Sequence, residues 1–309
     1  MIIITGAAGF IGSCVLSYLN SLGIDDILCV DDFGNGDKWK NILNKKYIDF
    51  IGCDAFYSKL GSFHNTEIVI HMGACSSTTE DNMDFLYDNN YMCSRTLYHW
   101  CQDIDARFIY ASSASTYGNG SNGFFDRADI LSPSSKYGFS KYLFDQWQVT
   151  QKPLKQCVGL KFFNVYGPNE YHKDNMYSLV YNFYQEAIHK GEITIFGKDG
   201  SQSRDFIYIK DLLCIIRFFI DNADINGIFN VGTGTAVSFI NLAEIVFSIL
   251  GIEKKIVFQD IPDYLFPIYQ LYTCADIRSL RACGYENEFY SIEEGVSDYT
   301  GYLKNNINY

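Results

Sequence analysis

Residues 4–12 of this 309-residue chain read "ITGAAGFIG". Gly6, Gly9 and Gly12 follow an apolar run directly and open the helically spaced segment "FIGSCVLSYLNSL" at 10–22. Glycines at such a junction allow a tight turn, a close approach of the backbone to a pyrophosphate, and close packing of helix on strand. The pattern predicts a strand, a dinucleotide-binding turn and a helix at this point of the chain.

Composition places the chain among ordinary globular proteins and excludes several functions. Apolar residues make up 48% and charged residues 19%, no apolar run is long enough to cross a membrane, and no signal peptide is visible. The ten cysteines lack C-x-x-C spacing, so reduced thiols are expected. A net charge of −12 argues against a nucleic-acid or anionic-membrane surface. We expect a cytoplasmic protein with neither nucleic acid nor membrane as a partner.

Short apolar runs alternate with helical patterns through the first half of the chain. Strands are predicted at 1–5, 27–31, 67–74, 107–113 and 157–163, and helices at 10–22, 81–103 and 137–151. Strand–helix alternation is typical of parallel strands with helices on both faces. The fold class predicted is therefore α/β, a Rossmann-type doubly wound parallel sheet.

The second half of the chain is less regular and supplies a smaller, interleaved C-terminal substrate domain. Helices are predicted at 177–190, 211–224 and 239–250, the last capped by Ser238, and a late strand at 227–232. We expect a dinucleotide-binding domain of 1–163 plus about 206–235, and a substrate-binding domain of about 164–205 plus 236–309.

The residues after the second strand bear on the choice of cofactor. Asp31 and Asp32 end that strand, where an acid accepts hydrogen bonds from the adenosine ribose and favours NAD. Lys38 lies a short loop further on and can pair with a 2′-phosphate, which favours NADP. The two signals conflict, so these residues leave NAD and NADP both open.

Three polar residue types are expected to meet at the carboxyl edge of the sheet. The strand "RFIYASS" ends in Ser112 and Ser113, and the next helix begins near Tyr137 with Lys141 one turn later. A tyrosine has a pKa of about 10 and is a poor base at neutral pH, but a nearby ammonium group favours its ionised form. A serine hydroxyl can hold a substrate oxygen. This set predicts a catalytic site beside the dinucleotide.

The motifs TGxxGxxG, a serine-bearing strand and YxxxK resemble those of the extended short-chain dehydrogenases/reductases. Longer segments are similar to one family among them, the ADP-L-glycero-D-manno-heptose 6-epimerases, which are NAD(P)-dependent. These segments include "HMGACSSTTE" at 71–80, "YASSASTYG" at 110–118, "FFNVYGPNEYHK" at 162–173, "SRDFIYIKD" at 203–211 and "YQLYTCAD" at 269–276. The resemblance covers nearly the whole chain.

The resemblance implies an isomerase that inverts C6″ of ADP-D-glycero-β-D-manno-heptose, for the inner core of lipopolysaccharide. A secondary alcohol carbon has no acidic C–H, so inversion requires a transient 6″-ketone. The implied cofactor is NADP, with NAD possible. The implied partners are the small-molecule ADP-heptose substrate and further copies of the chain in a homo-oligomer, a pentamer in that family.

The resemblance also implies roles for individual residues, with no metal ligand among them. Tyr137 and Lys173 are the implied acid–base pair, with Lys141 and Ser113 beside them. Implied cofactor contacts are Gly6, Gly9, Phe10, Ile11, Gly12, Asp31, Asp32, Lys38, Met72, Gly73, Ala74, Cys75, Ser76, Asn89, Lys141, Val165 and Lys173. Implied substrate contacts are Ser113, Asn164, Asn175, Asn182, Phe196, Gly197, Lys198, Asp199, Arg204 and Tyr269. A guanidinium at Arg204 also suits a bidentate pyrophosphate contact in its own right.

The chain departs from this family pattern at Ala7, Asp32, Cys53, Asn169 and Ile268. Cys53 replaces a lysine found in relatives, and Asp32 replaces a common asparagine. Both changes make the surroundings of the adenosine ribose more negative, which weakens the expected preference for NADP. Ile268 stands where an arginine precedes Tyr269 in the family, within the expected substrate pocket.

Two other classes of function stay open. One is a nucleotide-sugar dehydratase or net oxidoreductase of the same fold. Such a dehydratase commonly has an acidic residue after the serine strand, where this chain reads "SSAST" at 112–116. The other is a non-enzymatic dinucleotide-binding regulator, which would not need Ser113, Tyr137 and Lys141 together.

Overall fold

The computed structural model describes residues 1–151, 156–173, 176–197, 200, 202–262 and 269–309. Its strands are β1 (Ile2–Thr5), β2 (Ile27–Val30), β3 (Asp49–Ile51), β4 (Ile68–His71), β5 (Arg107–Ser113), β6 (Cys157–Phe162), β7 (Asn164–Tyr166), β8 (Ile193–Phe196), β9 (Ser203–Tyr208), β10 (Gly227–Val231), β11 (Ala236–Ser238) and β12 (Ile256–Gln259). Its α-helices are α1 (Phe10–Ser21), α2 (Cys53–Ser58), α3 (Met83–Leu86), α4 (Cys93–Asp103), α5 (Lys136–Thr150), α6 (Leu179–Lys190), α7 (Ile209–Asp221), α8 (Phe239–Leu250), α9 (Arg278–Ala282) and α10 (Ile292–Asn305).

Seven parallel strands form the central sheet in the order β10-β6-β5-β4-β1-β2-β3. Every neighbouring pair in it is parallel. Ile2 and Ile4 of β1 pack into the core on one face of the sheet, and Ile3 packs into the core on the other face. A strand buried on both faces must be apolar at every position, which explains the run "MIII". The predicted doubly wound α/β fold is confirmed.

The turn between β1 and α1 has the geometry that its glycines allow. Gly6 has a φ of +67°, in the left-handed region that glycine adopts without strain. A Cβ on Gly12 would lie 2.1 Å from the carbonyl oxygen of Gly6. The helix therefore begins against the turn, with its first backbone N–H groups at the carboxyl edge of the sheet.

Two smaller sheets are built from the later segments. One has three strands in the order β11-β9-β7, and the other pairs β12 with β8. α8 packs against α6 and α10 beside them, and Ser238 caps α8 by accepting a hydrogen bond from the backbone N–H of Asn241, as predicted. The division into two domains stays a prediction. Among the described residues, no helix is both long and apolar enough to cross a bilayer.

One predicted helix is interrupted. The expected helix over 81–103 consists of α3, a π-helical turn at Tyr87–Met92, and α4. A π turn takes one more residue than an α turn, and here it brings Asn90 into the interior, where the side chain is 1% exposed. The spacing of apolar residues does not reveal this extra residue.

A buried ion pair joins the sheet to α5. The Lys161 ammonium donates to the Asp145 carboxylate, and both side chains are almost fully buried. Asp145 also accepts hydrogen bonds from the hydroxyl groups of Tyr110, at 2.9 Å, and Ser112, at 2.7 Å. Thr116 accepts a further bond from Lys161 at 3.0 Å. One carboxylate thus ties β5 and β6 to α5.

Replacing Lys161 with Met should strongly destabilise the fold, because it leaves the Asp145 carboxylate buried without its cation. We expect a loss of about 3–5 kcal/mol in the free energy of unfolding, measured by urea denaturation. The double variant Lys161→Met/Asp145→Leu removes both charges and should recover much of this loss. A single-variant loss below about 1 kcal/mol, typical of exposed pairs, would contradict this account.

Candidate active site

An open cleft of about 630 Å³ lies at the carboxyl edge of the central sheet. Predicted cofactor, catalytic and substrate residues from separate parts of the chain line it together. They are Gly6, Gly9, Phe10, Ile11, Gly12, Asp31, Lys38, Met72, Gly73, Ala74, Cys75, Ser76, Ser113, Tyr137, Lys141, Asn164, Val165 and Lys173. Parallel strands all end at this edge, so residues that follow different strands meet there.

Asp31 and Lys38, whose charges conflict in the sequence, pair with each other. The Lys38 ammonium donates to Asp31 Oδ1 at 2.6 Å, and the Ala8 backbone N–H donates to Asp31 Oδ2 at 2.9 Å. The neighbouring Asp32 carboxylate accepts a hydrogen bond from the Cys53 backbone N–H at 3.0 Å and is not among the residues that line the cleft. The charge at this end of the cleft is therefore set mainly by the Asp31–Lys38 pair.

Tyr137 and Lys141 lie on the first turns of α5, which Ser135 caps by accepting a hydrogen bond from the Gly138 backbone N–H. Burial raises the pKa of the Tyr137 hydroxyl, and a hydrogen bond with Ser113 lowers it in part. Burial lowers the pKa of Lys141 to about 8, and its ammonium donates to the Ala111 carbonyl at 2.9 Å. The predicted serine, tyrosine and lysine line one cleft.

The π-helical turn supports the cofactor side of the cleft. The Asn90 amide donates to the Cys75 carbonyl at 3.0 Å and to the Ser140 hydroxyl at 3.0 Å, and its oxygen accepts from the Cys75 N–H at 2.8 Å. Asn90 thus holds the loop after β4 against α5. Asn89, the predicted contact, is half-buried and donates to Asn90 Oδ1 at 3.1 Å, but it does not line the cleft.

Lys173 faces the cleft from the loop after β7. Its ammonium lies 4.4 Å from the ring centroid of Phe10. Burial lowers the pKa of Lys173, and the neighbouring Glu170 carboxylate opposes that shift. Glu170 is itself fully buried and accepts hydrogen bonds from the hydroxyl groups of Ser178, at 2.7 Å, and Tyr299, at 3.0 Å. Glu170 therefore ties the residues just before Lys173 to Ser178 and Tyr299.

Asn169, one of the departures from the family pattern, has a structural role in that loop. Its φ is +74°, a left-handed conformation that asparagine tolerates better than most residues. Its side chain donates to the Ser13 hydroxyl at 3.0 Å and accepts from the Tyr309 backbone N–H at 2.8 Å. The residue thus fastens the loop to α1.

A second pocket, of about 490 Å³, lies beside α6, β8 and α8 and includes three predicted substrate residues, Asn182, Phe196 and Tyr269. Arg204 does not itself line this pocket. It is 7% exposed, and its guanidinium lies 5.4 Å from the ring centroid of Phe239 and 5.7 Å from that of Tyr269, two residues that do line it. Burial lowers its pKa to about 10. Arg204 forms no ion pair with a carboxylate in the described part of the chain. A buried guanidinium of this kind suits a phosphate group.

Some predicted residues lie outside the described residues: Asn175, Lys198 and Asp199, together with the departure at Ile268. Gly197 is described and has a φ of +100°, and a Cβ there would lie 1.9 Å from the Gln202 amide nitrogen. Other residues that line the cleft were not predicted from the sequence. They include Ser77, His172, Met176, Tyr177 and Ser178. Only His172, next to Lys173 in "EYHK", carried a signal that could have revealed it.

Comparison with known proteins identifies the family. A model of the NAD dependent epimerase/dehydratase family matches residues 2–232. The chain belongs to this family. Its curated relatives include two proteins named ADP-L-glycero-D-manno-heptose-6-epimerase. The one from Fusobacterium nucleatum subsp. nucleatum is 44% identical over 320 residues, covering 97% of this chain and 96% of the relative. The one from Nitratidesulfovibrio vulgaris strain Hildenborough is 43% identical over 311 residues, with the same coverage.

A solved structure of this epimerase/dehydratase family is similar along almost the whole chain. The crystal structure of Helicobacter pylori ADP-L-glycero-D-manno-heptose-6-epimerase superposes with a TM-score of 0.85 at 28% identity, covering 98% of this chain and 96% of that one. Membership of an NAD dependent family accounts for the glycine-rich turn and for its position in the same cleft as the serine, tyrosine and lysine.

Proposed function

We propose that this protein is an isomerase that inverts C6″ of ADP-D-glycero-β-D-manno-heptose to give ADP-L-glycero-β-D-manno-heptose. Relatives named ADP-L-glycero-D-manno-heptose-6-epimerase match nearly the full chain. The observation that carries the proposal is that two ionisable groups from different elements, Tyr137 of α5 and Lys173 of the loop after β7, line one cleft. Inversion needs a proton acceptor and donor for each of two orientations of the sugar.

The cleft fits a nicotinamide dinucleotide. Gly12 packs closely against Gly6, and the first backbone N–H groups of α1 can bind a pyrophosphate. Asp31 and Lys38 line the same cleft and are the proposed contacts of the adenosine ribose. When bound, the dinucleotide supplies the acceptor and donor of hydride at C6″. Inversion at one carbon leaves the sugar at the same oxidation level, so the reaction involves no net oxidation.

Tyr137 is the proposed proton acceptor and donor for the first orientation. In its ionised form, the Tyr137 phenolate oxygen accepts the proton of the substrate alcohol, and the Ser113 hydroxyl holds the same substrate oxygen. Burial alone would keep Tyr137 protonated, because it raises the pKa of the phenol. We infer that the Lys141 ammonium, which lines the same cleft one helical turn along α5, favours the phenolate once a substrate is bound. As the pKa of Lys141 is about 8, that support weakens as the pH rises through 8.

Lys173 is the proposed partner for the second orientation. The ketone can turn within the pocket while the nucleotide end stays bound, and the oxygen then faces a new group. Burial lowers the pKa of Lys173. The lower pKa makes its ammonium a better proton donor at neutral pH. The hydrogen bonds of Glu170 and Asn169 hold the residues just before Lys173 in place, which supports a defined position for the ammonium.

NADP is the proposed cofactor, through Lys38. The lysine pairs with Asp31 at 2.6 Å, and a 2′-phosphate offers it a second anionic partner at the same place. Asp31 alone would favour NAD, since a carboxylate accepts from ribose hydroxyls and repels a phosphate. A role in lipopolysaccharide core synthesis and a homo-oligomeric state are also proposals. The resemblance to the heptose 6-epimerases supports both.

Replacing Lys38 with Ala should weaken NADP binding about tenfold or more and NAD binding much less, because only NADP offers a phosphate to the ammonium. Equilibrium dialysis of both dinucleotides measures this, and mass spectrometry of cofactor released from denatured wild-type protein identifies the natural one. Lys40→Ala is the matched control, since Lys40 pairs with the exposed Asp37 at 2.7 Å. Equal losses for NADP and NAD in Lys38→Ala would remove Lys38 as the phosphate partner.

Replacing Arg204 with Met should raise KM for the nucleotide sugar strongly and change kcat little. The methionine keeps apolar contact with Phe239 and Tyr269 but loses a charge-assisted bond to phosphate worth about 1.5–3 kcal/mol. Steady-state kinetics measures the split. Arg204→Lys keeps the charge without the planar fork and should fall between the two. Unchanged KM in the methionine variant would mean that the pyrophosphate lies elsewhere.

Replacing Tyr137 with Phe or Lys173 with Met should each lower kcat for epimerisation about 10²–10⁴-fold, because each removes one proton-transferring group. Conversion of the D-glycero to the L-glycero sugar, followed by chromatography or NMR, tests the proposed function directly. Accumulation of reduced cofactor, seen by absorbance, would instead indicate a net oxidoreductase.

A substrate analogue with an aldehyde at C6″ separates the two groups. One aldehyde is reduced while another is oxidised, so dismutation needs no inversion. Each single variant should keep part of this activity, and the Tyr137→Phe/Lys173→Met double variant should lose nearly all of it. Epimerisation at the wild-type rate in Lys173→Met would defeat the two-group mechanism.

A further inference from the structure

The Lys173 ammonium lies against the ring of Phe10, a side chain that the proposed mechanism does not use. Phe10 is the first residue of α1 and lines the cleft together with Lys173. Its side chain is 4% exposed and belongs to the apolar core on one face of the central sheet. The Lys173 nitrogen lies 4.4 Å from the ring centroid, well within the distance of about 6 Å at which an aromatic face attracts a cation.

No carboxylate neutralises this ammonium in the described part of the chain. Among the described residues, the Lys173 nitrogen forms neither a hydrogen bond nor an ion pair. Burial lowers the pKa of Lys173, and the Glu170 carboxylate, which is not in contact with it, opposes that shift. The Phe10 ring acts in the same direction as Glu170, because a ring face stabilises only the charged form of a lysine.

Two other titratable groups near Lys173 are neutral at pH 7. Burial raises the pKa of the Cys14 thiol of α1 well above its usual range. Burial, followed by the charge of Lys173, lowers the pKa of His172 to about 4. Asp174, the next residue in the chain, lies outside the described residues. The described groups that oppose the effect of burial on the ammonium are therefore Glu170 and the aromatic ring.

An aromatic ring suits a lysine that must both give and take a proton. A carboxylate in direct contact would accept hydrogen bonds from the ammonium and strongly favour its charged form. A ring face attracts the charge without competing for the three N–H donors, so these donors can reach a substrate oxygen. The ring also restrains the end of a flexible side chain.

We propose that Phe10 is a positioning residue: the face of its ring holds the Lys173 ammonium at the cleft and favours its charged form. The role of Lys173 in proton transfer rests on the proposed function, whereas the contact between ring and ammonium does not. Because Phe10 directly follows Gly9, it joins the glycine-rich turn to the second proposed acid–base group.

Graded fluorination of the ring tests the contact with little change of shape. Mono-, di- and pentafluorinated phenylalanines, placed at position 10 by nonsense suppression, withdraw electron density from the ring face stepwise and leave every charged group in place. The pKa of each lysine is measured by competitive labelling with acetic anhydride over a pH series, with peptides quantified by mass spectrometry. We expect the pKa of Lys173 to fall stepwise, by about 0.5–1.5 pH units in the pentafluorinated protein, because the charged form loses its partner.

Phe162 provides the matched control. It also lines the cleft and is 9% exposed, but no ammonium or guanidinium lies over its ring in the described ranges of the chain. The same fluorinated series at Phe162 should leave the pKa of Lys173 unchanged, and thermal melting verifies that each protein is folded. An unchanged pKa in the Phe10 series, or an equal fall in both series, overturns the proposal.

A kinetic measurement separates the contact from the proposed function. Dismutation of the C6″ aldehyde analogue is followed against pH at saturating cofactor, through Lys173 in Tyr137→Phe protein and through Tyr137 in Lys173→Met protein. Fluorination of Phe10 should shift the profile to lower pH only in the Tyr137→Phe background, and equal shifts in both backgrounds would contradict the positioning role. If Lys173→Met kept the wild-type rate of epimerisation, the two-group mechanism would fall, whereas a lowered pKa of Lys173 on fluorination would still support the contact.

Discussion

The bonds of the buried Asp145 carboxylate hold together the elements that carry the candidate active site. It accepts hydrogen bonds from Tyr110, Ser112 and Lys161, and so joins two neighbouring central strands to α5. Ser113 follows Ser112 directly, and Lys141 precedes Asp145 by one helical turn. The relative position of the hydroxyl and ammonium groups at the cleft is thus fixed by a buried charge that does not itself line the cleft.

The fold could be predicted because its main signals are local. A strand buried on both faces must be apolar throughout, and a glycine-rich turn between strand and helix has few alternatives. The π-helical turn at 87–92 could not be predicted, because one additional residue changes the direction of Asn90 without disturbing the apolar spacing around it. The short strands β8, β9, β11 and β12 were also missed, since their pairing depends on distant segments rather than on their own patterns.

The candidate site was predicted in part for a related reason. Motifs identify residues that line the cleft, such as Tyr137 and Lys141. They do not identify residues that hold others in place, such as Asn90 and Glu170, because asparagine and glutamate occur widely on surfaces. The opposing charges of Asp31 and Lys38 likewise looked like a conflict in the sequence, and only three-dimensional proximity turns them into a pair.

The location of Arg204 has a consequence for how a charged ligand reaches the site. The chain as a whole carries a net charge of −12, whereas this guanidinium lies beneath two aromatic rings without a carboxylate partner in the described part of the chain. If the nucleotide sugar binds at Arg204, as proposed, the acidic exterior repels it at long range and the buried guanidinium attracts it at short range. Dissolved ions screen the long-range repulsion over about 10 Å but screen the attraction to the buried guanidinium far less. Moderate ionic strength should therefore speed association rather than slow it.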